Sequence, residues 1–300
     1  MKRINTLLVA LFAFTSCLVS SGQDYITTQA DVAKAEEVMA VLHDAEVEAI
    51  AAGKPLSVPE LMVMAAKELM GTAYVGGTLE EDLEKEQLRI YLTKTDCILF
   101  VETCLNLART VKQKEGRVPS FADFAKNVAG TRYRCKPPYT YGDRIHYTTE
   151  WIRRQEGKNL KDITMDLGGE IYDHPIHFMT SNYKSYKQLA NADDIPRAAL
   201  DLKKIGEVEA DLNKEPMTYI PKSKVAEIAG GIKSGDIICY VSKVEGLDIA
   251  HVAMAYVENG KVGFIHASQA DGKVETDKQT IAEYVSSRSH LTGIKVVRPL

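Results

Sequence analysis

The residues of this 300-residue chain best suited to covalent chemistry are one cysteine and two histidines. Cys97 follows Thr95-Asp96 and opens an apolar run, while His251 and His266 stand on either side of Asn259-Gly260. A thiol attacks as its thiolate, and the start of a helix offers unpaired N–H groups and a positive dipole end that favour the anion. The same N–H groups can hold the oxyanion of a tetrahedral intermediate. One imidazole could then take the thiol proton while the other fixes the tautomer of the first. A lone cysteine is more often an inert packing residue. The chemical reading therefore depends on whether the two histidines meet.

The elements that must position them can be read locally. Cys97, Phe100, Val101, Cys104, Leu105 and Ala108 recur at helical spacing, which predicts a buried helix with Cys97 in its first turn. Residues 236–241, 250–257, 261–267 and 293–299 read as strands. If Asn259-Gly260 is a two-residue hairpin turn, Glu258 pairs with Lys261, and the register makes His251 and His266 diagonal neighbours on one face. A one-residue slip would send them to opposite faces. Upstream, residues 30–52 predict a helix, and Ser57-Val58-Pro59-Glu60 is a capping-box start for another that runs to Gly71. Tyr74-Val75-Gly76-Gly77 then reads as a loop.

The first 22 residues differ from the rest. Lys2 and Arg3 precede an apolar stretch from Leu7 to Val19 and a small-residue end, Ser20-Ser21-Gly22, which is the pattern of a secretory signal too short to span a membrane. Phe14-Thr15-Ser16-Cys17 also resembles a bacterial lipoprotein attachment site, so a lipid anchor at Cys17 is an alternative to plain export. Either way the expected address is the periplasm or cell envelope. Removing the signal moves the net charge from −4 to −6, and no basic run is present, so nucleic acid is not an expected partner.

Cys97, Cys104, Cys135 and Cys239 are too few and too widely spaced for a disulfide framework, although one Cys135–Cys239 bridge stays open. Cys104 reads as a small core residue. The chain has no HExxH or clustered ligand spacing, so no metal or other cofactor is expected. His43, His174, His177 and His290 lack comparable context and read as surface or packing residues. Residues 113–235, punctuated by Pro137-Pro138, Gly168-Gly169 and Pro221, have no strong linker at either end. They read as an elaboration of a single 23–300 domain.

Gly71-Thr72-Ala73-Tyr74-Val75-Gly76-Gly77, Asp96-Cys97, His251-Val252 and Ile265-His266-Ala267-Ser268 together resemble the signature of papain-like cell-wall hydrolases of the NlpC type. The resemblance implies an α+β, papain-like fold: a helical lobe with the nucleophile cysteine at a helix N-terminus, packed on an antiparallel sheet or partial barrel, with a large insertion. It makes Cys97 the nucleophile, His251 the base, His266 the orienting residue and Tyr74 a wall of the substrate cleft. Two departures stand out. The family's Ser-Gly after the nucleophile is Ile98-Leu99 here, and more than 150 residues separate Cys97 from His251.

The dipeptidyl endopeptidases of that group use the Asp and Ser flanking the cysteine to hold a free amine, and Ile98 cannot do so although Asp96 is present. The longer chain instead resembles a secreted N-acetylmuramoyl-L-alanine amidase-like family, formerly a domain of unknown function. The matching pieces are Arg144-Ile145-His146-Tyr147 with Trp151, Leu167-Gly168-Gly169, Gly246 to His251, and Gly293 to Leu300. This resemblance implies hydrolysis of the amide between N-acetylmuramic acid and L-alanine in peptidoglycan or muropeptides. Within the insertion, Arg144, His146, Tyr147 and Trp151 could supply hydrogen bonds and a flat face for the sugar. The same cluster also reads as a helix start with a buried Trp. Asp248 could receive substrate, orient the hairpin, or only begin the strand. The alternatives are a γ-D-glutamyl dipeptidyl endopeptidase and a secreted wall-binding protein without catalysis.

Overall fold

The first long helix of the chain starts where its sequence supplies a cap. The computed structural model describes residues 25–82 and 84–300, so the signal and Cys17 lie outside the described residues. Helix α1 (Gln29–Ala51) is capped by the Thr28 hydroxyl, which accepts from the Asp31 N–H at 3.1 Å. Asp31 is buried, and its carboxylate accepts from the N–H groups of Leu92 and Thr93 at 2.8 and 2.9 Å. That bond ties α1 to the segment leading into Cys97. Helix α2 (Val58–Glu68) starts with both hydrogen bonds of the Ser57/Glu60 capping box and stops three residues before Gly71.

Helix α3 (Cys97–Lys114) begins at Cys97, with Asp96 as its cap: the carboxylate accepts from the Leu99 N–H at 2.9 Å. The stripe Phe100, Val101, Cys104, Leu105 and Ala108 is buried, but so are Glu102, Asn106 and Thr110 on the other side. They face α4 (Phe121–Arg132): Glu102 pairs with Arg132, and the Asn106 amide donates to the Thr131 hydroxyl at 2.8 Å. The polar face of α3 is therefore enclosed by partners rather than by water.

The remaining helices are α5 (Thr148–Gln155), α6 (Phe178–Ser181), α7 (Pro196–Leu212), α8 (Val225–Ile228) and α9 (Ile281–Ser287). Short strands β1 (Tyr25–Ile26), β2 (Ala73–Tyr74), β3 (Leu88–Arg89) and β4 (Lys94–Thr95) lie in the N-terminal half. They are followed by β5 (Leu160–Asp162), β6 (Glu170–Tyr172), β7 (Met217–Pro221), β8 (Ile237–Ser242), β9 (Ile249–Glu258), β10 (Lys261–Ser268), β11 (Lys273–Thr276) and β12 (Leu291–Pro299). The four strands read from the sequence correspond to β8, β9, β10 and β12 within two residues at each end.

The main sheet runs β4-β2-β11-β10-β9-β8-β12-β7-β6, with β5 also on β12. It is mixed rather than purely antiparallel, because β2 and β4 pair in parallel. Residues 113–235 contribute β5, β6 and β7 to this sheet, through pairings with β12 and with each other. The β9–β10 register is the expected one, with Glu258 opposite Lys261 and Met254 opposite Ile265. Asn259 and Gly260 both take positive φ, 51° and 76°, as a two-residue turn of the primed kind requires. α3 packs across β9 and β10 and so lays its first turn against the strands that carry both histidines.

Candidate active site

Each member of the site is delivered by a different element. Asp96 caps α3, and Cys97 is the first residue of the helix. In the parallel β2–β4 pair Tyr74 lies opposite Thr95, and the Val75 N–H donates to the Thr95 carbonyl at 2.8 Å. This places Tyr74 beside the cysteine turn, inside a short strand rather than the expected loop. From the sheet side, the backbone N–H of Val252 reaches the Cys97 thiol, so the residue after His251 touches the sulfur.

His251 Nε2 and His266 Nδ1 are 2.8 Å apart, with ring planes at 81°. The hairpin thus brings the two imidazoles into direct hydrogen bonding. Nε2 of His251 is engaged in this contact, and Nδ1 is not. Tyr240, Phe264 and Tyr284 close around the pair. The Tyr240 and Tyr284 rings lie 5.8 and 6.0 Å from His251, and Phe264 lies 4.9 Å from His266. The Arg288 guanidinium stacks on the outer face of Tyr284 at 3.3 Å. On the far side of His266, Nε2 is buried without a hydrogen-bond partner, and the Asp277 carboxylate stands 3.5 Å away.

The electrostatics run against the simplest expectation for a helix-start cysteine. Burial, followed by the negative charge of Asp96, pushes the Cys97 thiol up to about 12. The N–H groups of Val252 and Ile98 and its own N–H pull the other way and are outweighed. Burial, then the neighbouring His266 and Arg288, pushes His251 down to about 3. His266 is lowered by burial as well, with Asp277 opposing. The resting pair is therefore a neutral thiol and a neutral imidazole. A neutral pair of this kind is suited to general-base removal of a thiol proton during attack, and not to a standing ion pair. Tyr74 is likewise raised to about 12, by burial and then by the neighbouring acidic groups of Cys97 and Asp96, so its hydroxyl stays protonated.

A cleft of about 730 Å³ adjoins this centre, lined in part by Gly76, Gly77, His146, Tyr147, Tyr186 and Asp248. The catalytic candidates are not among its lining residues. It meets them through Ile249, two residues before His251, and through Gly76-Gly77, just after Tyr74. A smaller recess of about 90 Å³ runs along α3 between Ile98 and Trp151 and shares His146 and Tyr147 with the cleft.

The insertion residues singled out in the sequence divide in two. His146 and Tyr147 reach the cleft. His146 Nε2 bonds the Tyr141 carbonyl at 2.9 Å, and burial holds the ring well below its ordinary pKa, hence neutral. The Tyr147 hydroxyl donates to Glu209 at 2.7 Å and accepts from the Met179 N–H at 2.8 Å. Arg144 is 3% exposed and held between Glu80 and Glu86, with Tyr141 under its guanidinium. Its charge is matched internally, so its position is that of a wall support rather than a free hydrogen-bonding group. Trp151 is 4% exposed in α5, the buried-Trp arrangement that the sequence left as one alternative. Asp248 is buried, and its carboxylate accepts from the Thr149 N–H at 2.7 Å, which fastens the first turn of α5 to the start of β9.

Cys135 is exposed and Cys239 buried, both as free thiols, so the open question of a bridge closes against it. Cys104 is a core residue of α3. Asp277, Tyr284 and Arg288 were not visible as site residues in the sequence. They lie 11 to 22 positions beyond His266 and carry no spacing signal of their own; only the packing of α9 and its preceding loop on β10 brings them to the histidines.

Against known proteins, a family described as AmiA-like, N-acetylmuramoyl-L-alanine amidase-like, matches residues 64–294. No curated protein sequence matches the chain. Among solved structures, an N-acetylmuramoyl-L-alanine amidase from Bacteroides uniformis is 32% identical with a TM-score of 0.72, over 79% of this chain and 98% of that one. A Bacteroides fragilis protein provisionally named a xylanase is 30% identical with a TM-score of 0.68, over 78% of this chain and 98% of that one. A Legionella pneumophila protein is 20% identical with a TM-score of 0.61, over 90% of this chain and 97% of that one, and shares the fold.

Proposed function

Because the chain belongs to the N-acetylmuramoyl-L-alanine amidase-like family, we propose that it is a peptidoglycan or muropeptide hydrolase that cuts the amide between N-acetylmuramic acid and L-alanine by a Cys-His-His thiol mechanism. The observation that carries this reading is the 2.8 Å His251–His266 contact on the strand whose Val252 N–H meets the Cys97 thiol. In the proposed first step Cys97 Sγ attacks the lactyl carbonyl while its proton passes to His251 Nδ1. His266 holds the ring through Nε2, and N–H groups at the start of α3 face the developing oxyanion. His251 then returns the proton to the leaving amine of L-alanine. Water, deprotonated by the same ring, hydrolyses the acyl-enzyme. Cys97, His251 and His266 are the catalytic residues of this reading, and the placement of the thiol between helix and sheet supports a papain-like arrangement of the NlpC type.

The cleft beyond Ile249 is the natural berth for the rest of the ligand, with Tyr74, His146 and Tyr147 in contact and Arg144, Trp151 and Asp248 holding its wall. Two observations favour this amide over a bond within the stem peptide. The Asp96 carboxylate is engaged as the cap of α3, and Ile98 turns an apolar side chain into the recess where an amine-binding hydroxyl would be needed. A glycosidase, by contrast, needs two carboxyl groups facing the scissile bond. Of the cleft acids, Glu80 is paired with Arg144, Glu81 with Lys94 and Tyr91, and Asp248 with the Thr149 N–H. The signal-like N-terminus supports action outside the cytoplasm, in the periplasm or cell envelope.

The test is to incubate the mature protein and a Cys97→Ala variant with a defined disaccharide-tetrapeptide and weigh the products. Free tetrapeptide from the unaltered protein alone is the expected result. Release of a disaccharide still bearing L-Ala-D-Glu would instead identify a dipeptidyl endopeptidase. Binding without turnover would leave a non-catalytic wall-binding protein.

A further inference from the structure

We propose that Asp277 is a positioning residue that holds the proton of His266 on Nε2, so that the site is a four-membered relay, Cys97–His251–His266–Asp277. The inference rests on the thiol–imidazole reading of the site and extends it by a residue beyond the three with assigned roles.

The argument starts from an orphan. His266 is 2% exposed, and its Nε2 has no hydrogen-bond partner. A buried polar nitrogen left unmatched is costly, and native structures seldom keep one without a reason. Among the described residues, the only carboxylate within ion-pair distance is Asp277, whose Oδ2 lies 3.5 Å from that nitrogen. Asp277 is itself held in place. Its N–H donates to the Phe264 carbonyl at 3.1 Å, and its Oδ1 accepts from the Gln279 N–H at 2.7 Å. The first bond ties the loop to the strand that carries His266, two residues away. The second leaves Oδ2 turned toward the imidazole.

Proton placement then follows from hydrogen-bond chemistry. For His251 Nδ1 to accept the thiol proton, His251 must carry its own proton on Nε2. That N–H must donate across the 2.8 Å contact, so His266 Nδ1 must be bare. His266 therefore has to carry its proton on Nε2, facing Asp277. In the step itself the S–H electron pair stays on sulfur and the proton moves to His251 Nδ1. No proton passes to Asp277, whose carboxylate stabilises the imidazolium through His266. At 3.5 Å the contact is long for a hydrogen bond, as catalytic contacts often are before substrate binds.

Every charged or titratable group facing His266 bears on this balance. β9 presents His251, β11 presents Glu275 directly across the ladder, and the turn before β11 presents Asp271. The loop after β11 presents Asp277, and α9 presents Tyr284 with Arg288 stacked behind it. Arg288 disfavours a proton on either histidine. The Ser268 hydroxyl donates to the Asp271 carboxylate at 3.0 Å and accepts from the Asp271 N–H at 3.1 Å. Asp277 is therefore the group placed to counter Arg288 at the ring itself.

The test uses the full mature chain and no wall substrate. Nitrogen-15 spectra of the Cys97→Ala protein should show His266 protonated on Nε2 and bare on Nδ1. Adding Asp277→Asn should lower the histidine titration by about one pH unit, the shift expected for loss of an opposite charge at this range. In the Cys97 protein, iodoacetamide alkylation of Cys97 at pH 7 should slow severalfold in Asp277→Asn, because a weakened base takes the thiol proton less readily as the sulfur attacks. Asp277→Glu should recover part of the rate. Peptide mass analysis scores the exposed Cys135 separately. A His266 proton on Nδ1, or an unchanged titration and alkylation rate in Asp277→Asn, would overturn the proposal. A merely structural Asp277 would change thermal stability and leave both readouts where they were. The expected proton placement and shifts, together with no amide cleavage in the separate disaccharide-tetrapeptide assay, would count against the amidase reading and leave the relay standing.

Discussion

Replacing His266 with alanine isolates the contact on which the proposed chemistry turns. In the parent, His251 Nε2 and His266 Nδ1 are 2.8 Å apart, and in the proposed tautomer the first donates to the second. Once His251 holds the thiol proton, this becomes a hydrogen bond from a charged donor, worth about 1.5–3 kcal/mol. His266 is almost wholly enclosed, so alanine also leaves the His251 N–H facing a cavity rather than water, which adds about 1–3 kcal/mol. Together these raise the barrier by about 2.5–6 kcal/mol, or roughly 10²–10⁴-fold in kcat at 1.36 kcal/mol per decade. KM should change little, because His266 does not line the cleft. His266→Gln keeps a carbonyl acceptor and should recover at least tenfold over alanine. The assay is release of free stem peptide from a disaccharide-tetrapeptide, followed by chromatography, with thermal melting as the folding control. A folded His266→Ala protein with kcat within about threefold of the parent would refute the orienting role.

Other expectations follow from the same contacts. Asp248→Ala strands the buried Thr149 N–H at the start of α5 and should cost about 1–3 kcal/mol in urea unfolding; an unchanged midpoint would mean that α5 is held by packing alone. Glu102→Gln leaves the Arg132 guanidinium buried without its counter-charge and should cost about 3–5 kcal/mol by the same measurement. Burial holds His251 down to about 3, while in the unfolded chain it titrates near its ordinary 6.5. The unfolded state therefore binds more protons between those values, and stability should fall as pH drops from about 6.5 toward 3. A His251→Phe variant should show a flatter profile of melting temperature against pH over that window; an equally steep one would assign the dependence to other groups.

Where a feature rests on neighbours in sequence, the chain declares it. Asn259-Gly260 sets the turn, and a period of two carries the register to His251 and His266, so their meeting was predictable from the alternation alone. Ser57 with Glu60, and Asp96 before Cys97, mark helix starts because capping is a contact over three residues. The apolar stripe of α3 was legible for the same reason. Its buried polar face was not, since whether Glu102 and Asn106 meet water or α4 depends on where Arg132 and Thr131 arrive.

Tertiary packing decided the rest. Parallel pairing of two-residue strands, too short to leave a pattern, put Tyr74 beside Cys97. Arg144 looked like a free ligand group until Glu80 and Glu86 closed on it. The packing of α9 and its loop supplied Asp277, Tyr284 and Arg288 to the histidines. The thiol shows the division most clearly. Its helix position, a local property, argued for a lowered pKa, whereas burial and the charge of Asp96 reverse the sign. The amino-acid order alone determined which groups could react and which strand faces they share, because backbone periods act over a few residues. Their ionisation and their remaining partners were settled only by the three-dimensional fold, because desolvation and charge act through space.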